Sequence, residues 1–406
     1  MASRFPGLEG RNWMPRERAV AKTILLILVG GFIALMGFAC APPQPTPPPP
    51  TPLAAQVCDS NGALNPVPFL AEPFTPGPPY AHDPQPDSTP LSPEIQAIVA
   101  DIQSDLRAAF NAAPPSFKAQ LCGLNGIFLT RAGCSGYDPS TCNLLDNEVA
   151  DNSWGFREPD GDKYIGISLG LWKNNACRGT QRVCAPPFQT YQTRLLRALL
   201  KREADSDTSP PPFQPQPDPN PPTFNVDPST SAMSVLASLA HEYGHIYWWH
   251  NFVQPPGPAT TNTSNTGTFC GGNFYPSASW QGSPVDIPPG RWISFGEIRL
   301  QPPGSYISQL PHLLRSGDYG NAGEVLHEIY SRGRWASALA AFSPDEDFVE
   351  SFELSVLVNS GLQTLRVNVT GHGTHADDVF RNASSTSALR TKLQCFGPVP
   401  QPGRLR

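Results

Sequence analysis

Two histidines four positions apart, with a glutamate directly after the first, constrain this chain more than any other segment: His241-Glu242-Tyr243-Gly244-His245. On an α-helix, positions i and i+4 lie one above the other, so both imidazoles can reach one metal ion. Glu242 would lie about 100° further round the helix, where its carboxylate can reach a water on that ion. This H-E-x-x-H spacing is typical of zinc hydrolases, in which the glutamate is the general base. The alternative is a buried helix with two hydrogen-bonded histidines.

The residues around this motif favour a helix. Apolar side chains precede it at helical spacing, namely Val235, Leu236 and Leu239. Before these stand three hydroxyl side chains suited to a helix cap: Ser229, Thr230 and Ser231. Gly244 costs about 1 kcal/mol of helix propensity relative to alanine. A glycine beside the two histidines therefore indicates a packing or access requirement.

Catalytic zinc sites usually have three protein ligands, so one more is expected elsewhere in the chain. A second helix is predicted to begin at Pro344, since proline is favoured at the first helical position. Three glutamates on it are spaced i, i+4 and i+7 among apolar residues: Glu346, Glu350 and Glu353. Buried carboxylates are costly unless they are paired or bind a metal, which makes Glu346 the predicted third ligand. Alternatively, Ser343 and Glu346 form a capping box.

The two motifs, in this order, resemble those of the gluzincin metallopeptidases related to anthrax lethal factor and of zinc-binding lipoprotein peptidases of bacteria. The second motif reads Glu346-Asp-Phe-Val-Glu350-Ser-Phe352. The resemblance implies an α+β, zincin-like metallopeptidase domain with the active-site helix under a mixed sheet. It also implies zinc held by His241, His245 and Glu346, with Glu350 orienting one of the histidines from outside. About a hundred residues separate the motifs, which implies a large insertion.

Two further features of such enzymes can be sought in the sequence. Their sheet has an edge strand above the metal, where an extended substrate binds through its main chain. Residues 164–172 are the candidate for that strand, and an ordinary core strand is the alternative. A tyrosine often stands about seven residues before the third ligand and stabilises the oxyanion, but Leu339 occupies that position here. His327 or Tyr330 could substitute, so the oxyanion stabiliser is unknown.

The first 39 residues predict export. Basic residues precede an apolar run over residues 23–39, as in a secretory signal peptide: Arg11, Arg16, Arg18 and Lys22. Cys40 directly after Ala39 resembles a bacterial lipobox, in which cleavage exposes the cysteine for lipidation, although Gly37 replaces the usual leucine. An uncleaved transmembrane anchor is the alternative. Either arrangement places the remainder outside the cytoplasm. The lipoprotein interpretation places it in the bacterial cell envelope, at the outer membrane or cell surface.

Cysteine usage agrees with an oxidising compartment. Without Cys40, eight of the nine cysteines remain, an even number as a disulfide framework requires: Cys58, Cys122, Cys134, Cys142, Cys177, Cys184, Cys270 and Cys395. No C-x-x-C pair occurs among them, which argues against a cysteine-rich zinc site.

The 49 prolines outline the organisation of the chain. Residues 40–91 are predicted to form a Pro-rich tether, pinned to the body at Cys58, and residues 92–400 the metallopeptidase domain. Two stretches within the domain, 205–228 and 254–290, are predicted to be loop-like insertions. Other predicted elements are helices from Ser92, over 191–201 and within 306–330, and a strand over 126–130.

A second histidine segment, Gly371-His372-Gly-Thr-His375, resembles that of subtilisin-like serine proteases, but no G-T-S nucleophile context follows it. One interpretation is a second metal site formed by His372 and His375 with Asp377 or Asp378. The other, which the glycines favour, is a surface turn.

The predicted function is hydrolysis of peptide bonds by an exported, lipid-anchored zinc metallopeptidase, with Glu242 as general base toward a zinc-bound water. The predicted partners are a peptide or protein substrate and, through the lipid, a membrane. No basic cluster follows the signal, which argues against nucleic acid as a partner. The alternative is a catalytically inactive zincin-fold lipoprotein that serves as a binding or structural module.

Overall fold

The computed structural model describes residues 56–71, 84–88, 90–91, 93–130, 153–157, 162–172, 175–177, 182–207, 217–252, 306–342, 344–383 and 387–397. These residues form an α+β fold in which helices pack against two small sheets. The predicted signal peptide, Cys40, most of the tether and the 254–290 insertion lie outside the described residues. Among the described helices, none is long and apolar enough to cross a membrane.

A disulfide bond ties the first described segment to the N-terminal helices. Helix α1 spans Pro93–Ala112, as predicted, and helix α2 spans Pro115–Cys122. The inward face of α1 is buried at helical spacing: Ile95, Ile102, Leu106 and Phe110. The bond between Cys58 and Cys122 joins residues 64 positions apart, which confirms that Cys58 is pinned to the body. A second bond joins Cys177 to Cys184, and Cys395 is also disulfide-bonded.

The first sheet contains both parallel and antiparallel strands. Its strands are β1 (Gly126–Thr130), β2 (Trp154–Arg157) and β3 (Lys163–Ser168), in the order β1-β3-β2. Strand β1 runs parallel to β3, with Gly126 opposite Tyr164, and β2 runs antiparallel to β3. The bounds of β1 are as predicted. Among the described strands, β2 lies at an edge of this sheet.

The strand predicted over 164–172 is shorter and lies in the middle of this sheet. It ends at Ser168, and a 3-10 helix over Leu169–Trp172 follows. Because β1 and β2 pair with its two sides, the predicted edge position is wrong and the alternative of a core strand is confirmed. Tyr164 and the four residues after it are all buried, as expected of a central strand that is covered on both faces.

The stretch before the histidine helix contains a helix and a strand. Helix α3 spans Phe188–Ser206, longer at both ends than predicted. Strand β4 spans Thr223–Asp227, inside the stretch 205–228, so the prediction of a loop is wrong there. Its buried residues, Phe224 and Val226, alternate with exposed ones, which is the two-residue period of a strand with one covered face. The surrounding prolines obscure this short period in the sequence.

Helix α4 carries the two histidines and spans Ser231–Phe252. Thr230 caps it, because its hydroxyl oxygen accepts a hydrogen bond from the Met233 amide at 3.2 Å. The helix packs against α1, β2 and β3, so most of its surface is buried.

Helices α5 (Leu310–Ser316), α6 (Tyr319–Ser331) and α7 (Pro344–Asn359) come next in the described part of the chain. Helices α5 and α6 confirm the predicted helical stretch within 306–330. Helix α7 packs along α4. Its predicted start at Pro344 is confirmed, whereas Ser343 of the predicted capping box lies outside the described residues.

The second sheet is antiparallel, in the order β4-β5-β6, with β5 over Thr364–Thr370 and β6 over Thr374–Asp378. Residues 371–373 connect β5 and β6, so the interpretation of this segment as a Gly-rich turn is confirmed. Helices α8 (Val379–Asn382) and α9 (Ala388–Gln394) complete the described chain, and α9 packs on α7.

Candidate metal centre

Helix α4 presents both histidines at the boundary between the core and the surface. Four residues in the two turns before His241 are fully buried: Val235, Leu236, Ala237 and Ala240. His241 and His245, in contrast, keep 19% and 24% of their side chains exposed. Their ring centroids lie 5.0 Å apart, as expected of residues one helical turn apart. Two neighbouring imidazoles thus reach the surface from a helix whose described side chains are otherwise mostly buried.

Gly244 allows helix α7 to approach α4 closely. A β-carbon at this position would lie 3.0 Å from Cγ1 and 3.2 Å from Cα of Val349, which is tighter than ordinary van der Waals contact. Val349 stands on α7 between Glu346 and Glu350. The packing requirement predicted for Gly244 is therefore confirmed, and its consequence is that the glutamates of α7 come within reach of the histidines.

Aromatic rings fix the spacing of the two helices. Tyr247 of α4 meets Phe348 and Phe352 of α7 with ring centroids 5.6 Å apart, and Tyr243 meets Phe352 at 5.8 Å. Phe117 of α2 packs edge-on against both Tyr243 and Phe352. Such contacts stabilise by about 0.5–1.5 kcal/mol each beyond area burial, so the two helices form a rigid support for the site.

Helices α4 and α7 bring together the three predicted ligands. Nε2 of His241 lies 3.7 Å from Oε2 of Glu346, and Nε2 of His245 lies 3.8 Å from its Oε1. The three ligand atoms all lie within 4.8 Å of one another. Ligands about 2.1 Å from a tetrahedral metal ion would be roughly 3.4 Å apart, so small side-chain adjustments would suit an ion. This group could therefore hold a metal ion.

The other nitrogen of His241 faces two carboxylates. Nδ1 lies 2.8 Å from Oε1 of Glu350 and 3.5 Å from Oε2 of Glu353. The predicted outer residue Glu350 thus contacts His241 rather than His245. Glu353 is part of the predicted carboxylate stripe, but the sequence reasoning assigned it no role at the site.

Four glutamates are buried on the two helices, which concentrates negative charge there. The exposed fractions are 7% for Glu242, 2% for Glu346, 9% for Glu350 and 5% for Glu353. Moving a carboxylate into the interior costs several kcal/mol unless the charge is compensated. A divalent cation held by the group would offset two of these negative charges, since imidazoles that bind a metal are neutral.

The surroundings perturb the two imidazoles in opposite directions. Burial alone would lower the pKa of His241, but hydrogen bonds to Glu350 and Glu353 outweigh burial and raise that pKa well above its ordinary value. Burial, and then the nearby His241, lower the pKa of His245 well below its ordinary value. Burial raises the pKa of Glu353 to about 7, with a further contribution from Glu350. A proton and a metal ion would compete for Nε2 of His241, because a ligand imidazole is neutral.

Strand β2 packs directly on the main chain of Glu242. A β-carbon at Gly155 would overlap the carbonyl oxygen of Glu242, so this contact requires glycine. The first sheet therefore touches α4 at the predicted general base, through a strand that the sequence reasoning missed. The only local signal for this strand is the apolar and aromatic alternation of Trp154-Gly-Phe156.

The predicted substitutes for the oxyanion tyrosine are engaged elsewhere. The hydroxyl of Tyr330 is buried and accepts a hydrogen bond from the Ala338 amide at 3.2 Å. His327 lies 2.8 Å from Asp377 and stacks on His375, with ring centroids 3.9 Å apart. The structure therefore leaves the oxyanion stabiliser unassigned.

His372 of the β5–β6 turn and His375 of β6 do not form a preassembled metal site. His375 pairs with Glu324 at 3.1 Å, and His372 pairs with Asn321 at 2.9 Å. Among the described residues, the groups of three or more ligand atoms within 4.8 Å of one another both contain His241. The interpretation of this segment as a second metal site therefore receives no support from the geometry.

Comparison of the chain with protein-family models, with characterised proteins and with solved structures gave no match. Imidazole nitrogens and a carboxylate suit zinc, but other divalent transition metals accept the same ligands, so the group could hold any of several metal ions.

Proposed function

We propose that this chain is a zinc-dependent metallopeptidase of the gluzincin type, with a zincin-like fold, exported and anchored through a lipid on Cys40. The observation that carries the proposal is the convergence of His241, His245 and Glu346 within 4.8 Å. Structural zinc sites usually have four protein ligands, whereas three leave a position for water or substrate. A glutamate directly after the first histidine further supports a catalytic site.

The three ligands and one outer residue would divide the work of binding. His241 and His245 would bind through Nε2, and Glu346 through its carboxylate. When bound, zinc supplies a Lewis acid for the scissile carbonyl and lowers the pKa of a water to about 7. Glu350, 2.8 Å from Nδ1 of His241, would keep a proton on Nδ1 and so leave the lone pair of Nε2 for the metal.

Glu242 would transfer the proton that peptide hydrolysis requires. Its carboxylate would accept a proton from the attacking water and then donate it to the amine nitrogen of the leaving peptide. The residue is only 7% exposed, so bulk water has little access to it. Exclusion of water strengthens the electrostatic interactions on which such a transfer depends.

A peptide substrate would bind in extended form beside strand β2. Main-chain pairing with a strand gives affinity for many sequences, as a peptidase of broad specificity requires. Because Gly155 rests on the main chain of Glu242, a peptide paired with β2 would pass close to the general base. This assigns to β2 the substrate-binding role first predicted for 164–172.

A non-catalytic zincin-fold lipoprotein, acting as a binding or structural module, is the second candidate. Leu339 stands where the resemblance leads one to expect a tyrosine, and Tyr330 and His327 are both engaged within the protein. In such a protein the metal group would stabilise the pairing of α4 with α7 without turnover.

Metal removal distinguishes the two candidates. The full chain is expected to hydrolyse peptides of a fluorogenic library, to lose this activity in ortho-phenanthroline, and to regain it when zinc is added back. The meta isomer of phenanthroline, which does not chelate, should leave the activity unchanged. Hydrolysis that persists in the chelator would contradict a zinc peptidase, and zinc binding without hydrolysis of any library would favour the non-catalytic module.

A further inference from the structure

The carboxylate stripe of helix α7 extends one turn beyond the residues that the proposed zinc site uses. Glu346, Glu350 and Glu353 are spaced i, i+4 and i+7, which places them on one face of the helix. Glu353 is 5% exposed, so its carboxylate lies in the interior. An interior carboxylate is costly, and a metal site that already has a third ligand and an outer partner gives no reason for a further one.

The contacts of His241 suggest what Glu353 does. The ring lies along the stripe, with Nε2 3.7 Å from Glu346 and Nδ1 2.8 Å from Glu350 and 3.5 Å from Glu353. Rotation of the imidazole would lengthen at least one of the two contacts at Nδ1. Two carboxylates at the same nitrogen also favour the tautomer that leaves the lone pair of Nε2 facing Glu346 and His245.

We infer that Glu353 is a positioning residue of the metal centre, which acts with Glu350 to hold the ring of His241 and its tautomer. This inference rests on the proposed zinc site. Glu353 is not one of the three proposed ligands, so its replacement would change the affinity for zinc through the position of His241. Loss of an outer partner of a ligand histidine typically weakens metal binding about 10–100-fold.

The same atoms suggest a competing arrangement. His241, Glu350 and Glu353 also offer three ligand atoms within 4.8 Å, and so could hold an ion of their own. The distance of 2.8 Å between Nδ1 of His241 and Glu350 is that of a charge-assisted hydrogen bond. Nδ1 cannot donate that hydrogen bond and bind a cation at the same time, so the geometry favours positioning over a second ion.

The test is zinc affinity, measured on the full chain by competition with a chromophoric chelator at fixed pH. Glu353→Gln and Glu350→Gln are each expected to weaken zinc binding by roughly tenfold or more. Glu203→Gln is the matched control, because Glu203 of α3 is also buried but belongs to another helix. The melting temperature in excess chelator is measured for each variant, since a purely structural role would lower it without changing the affinity of the folded protein.

The outcomes separate this inference from the proposed function. Weaker zinc binding by Glu353→Gln, with Glu203→Gln unchanged, supports the inference. If the zinc affinity of Glu353→Gln is within about twofold of that of the original chain, the inference alone is overturned. It is also overturned if the original chain binds two zinc ions and Glu353→Gln binds one, because Glu353 would then be a ligand of a second ion. Failure of the unmodified chain to bind zinc overturns the inference and the proposed function together.

Discussion

Replacement of Glu242 by glutamine is expected to lower peptide hydrolysis by roughly a hundredfold to ten-thousandfold, the usual contribution of a positioned general base. The amide has nearly the shape of the carboxylate but cannot accept the proton of the attacking water. Zinc should stay bound, because none of the three predicted ligands changes. Initial rates on the most readily cleaved library peptide, together with the zinc content of the same sample, provide the measurement.

Glu328→Gln is the matched control for this experiment. Glu328 lies on α6, a helix that carries none of the proposed metal ligands. Its side chain is 38% exposed and pairs with Arg332. Its replacement should leave both hydrolysis and zinc content unchanged. If Glu242→Gln retained more than about a tenth of the original rate, another residue would have to be the general base.

A buried ion pair between α7 and α9 should give the largest single effect on stability. Nζ of Lys392 lies 2.6 and 2.7 Å from the two carboxylate oxygens of Asp347 and 3.1 Å from the carbonyl oxygen of Arg334. It also lies 4.6 Å from the ring centroid of Trp335, and both partners are fully buried. Lys392→Met would leave the Asp347 carboxylate in the interior without its ammonium partner, at a cost of about 3–5 kcal/mol in the free energy of unfolding.

Denaturant unfolding of three variants tests this expectation. Lys201→Met is the control, because Lys201 pairs with Asp205 at 2.9 Å but both side chains are more than half exposed. Such a pair contributes about 0.2–1 kcal/mol, so the control should unfold nearly as the original chain does. The double change Asp347→Leu with Lys392→Met should restore much of the stability, since replacing both partners leaves no buried charge. Equal stability of Lys392→Met and Lys201→Met would show that the buried pair is unimportant.

The ligands of the candidate site could be predicted from sequence because they depend on short spacings within two helices. The interval between His241 and His245 fixes one pair of side chains, and the interval between Glu346 and Glu350 fixes the other. Neither interval reveals that the two helices are neighbours. That expectation came from the resemblance of the two motifs to those of gluzincin metallopeptidases. Gly244 was the local indication of that contact. A glycine lowers helix stability, so its presence within a helix indicates that another backbone approaches there.

What the sequence did not reveal depends on contacts between distant segments. The position of β3 at the centre of its sheet follows from its pairing with β1 and β2, and no local pattern records which strands will pair. Strand β4 is five residues long among prolines, so composition outweighed its alternation of apolar residues. The sequence placed Glu353 on the same helix face as Glu346 and Glu350. Its contact with His241, however, depends on the orientation of the imidazole ring, which is set by the packing of the two helices.

The metal content of the purified full chain tests the proposed site most directly. Mass spectrometry should find about one zinc per chain, and should find it lost in both His241→Ala and Glu346→Ala, because two remaining ligands bind zinc weakly. Retention of zinc in Glu328→Gln would show that the loss is specific. Zinc that is lost with His241→Ala but retained with Glu346→Ala would move the third ligand elsewhere. A correctly folded, unmodified chain that binds no zinc would contradict the proposed metallopeptidase.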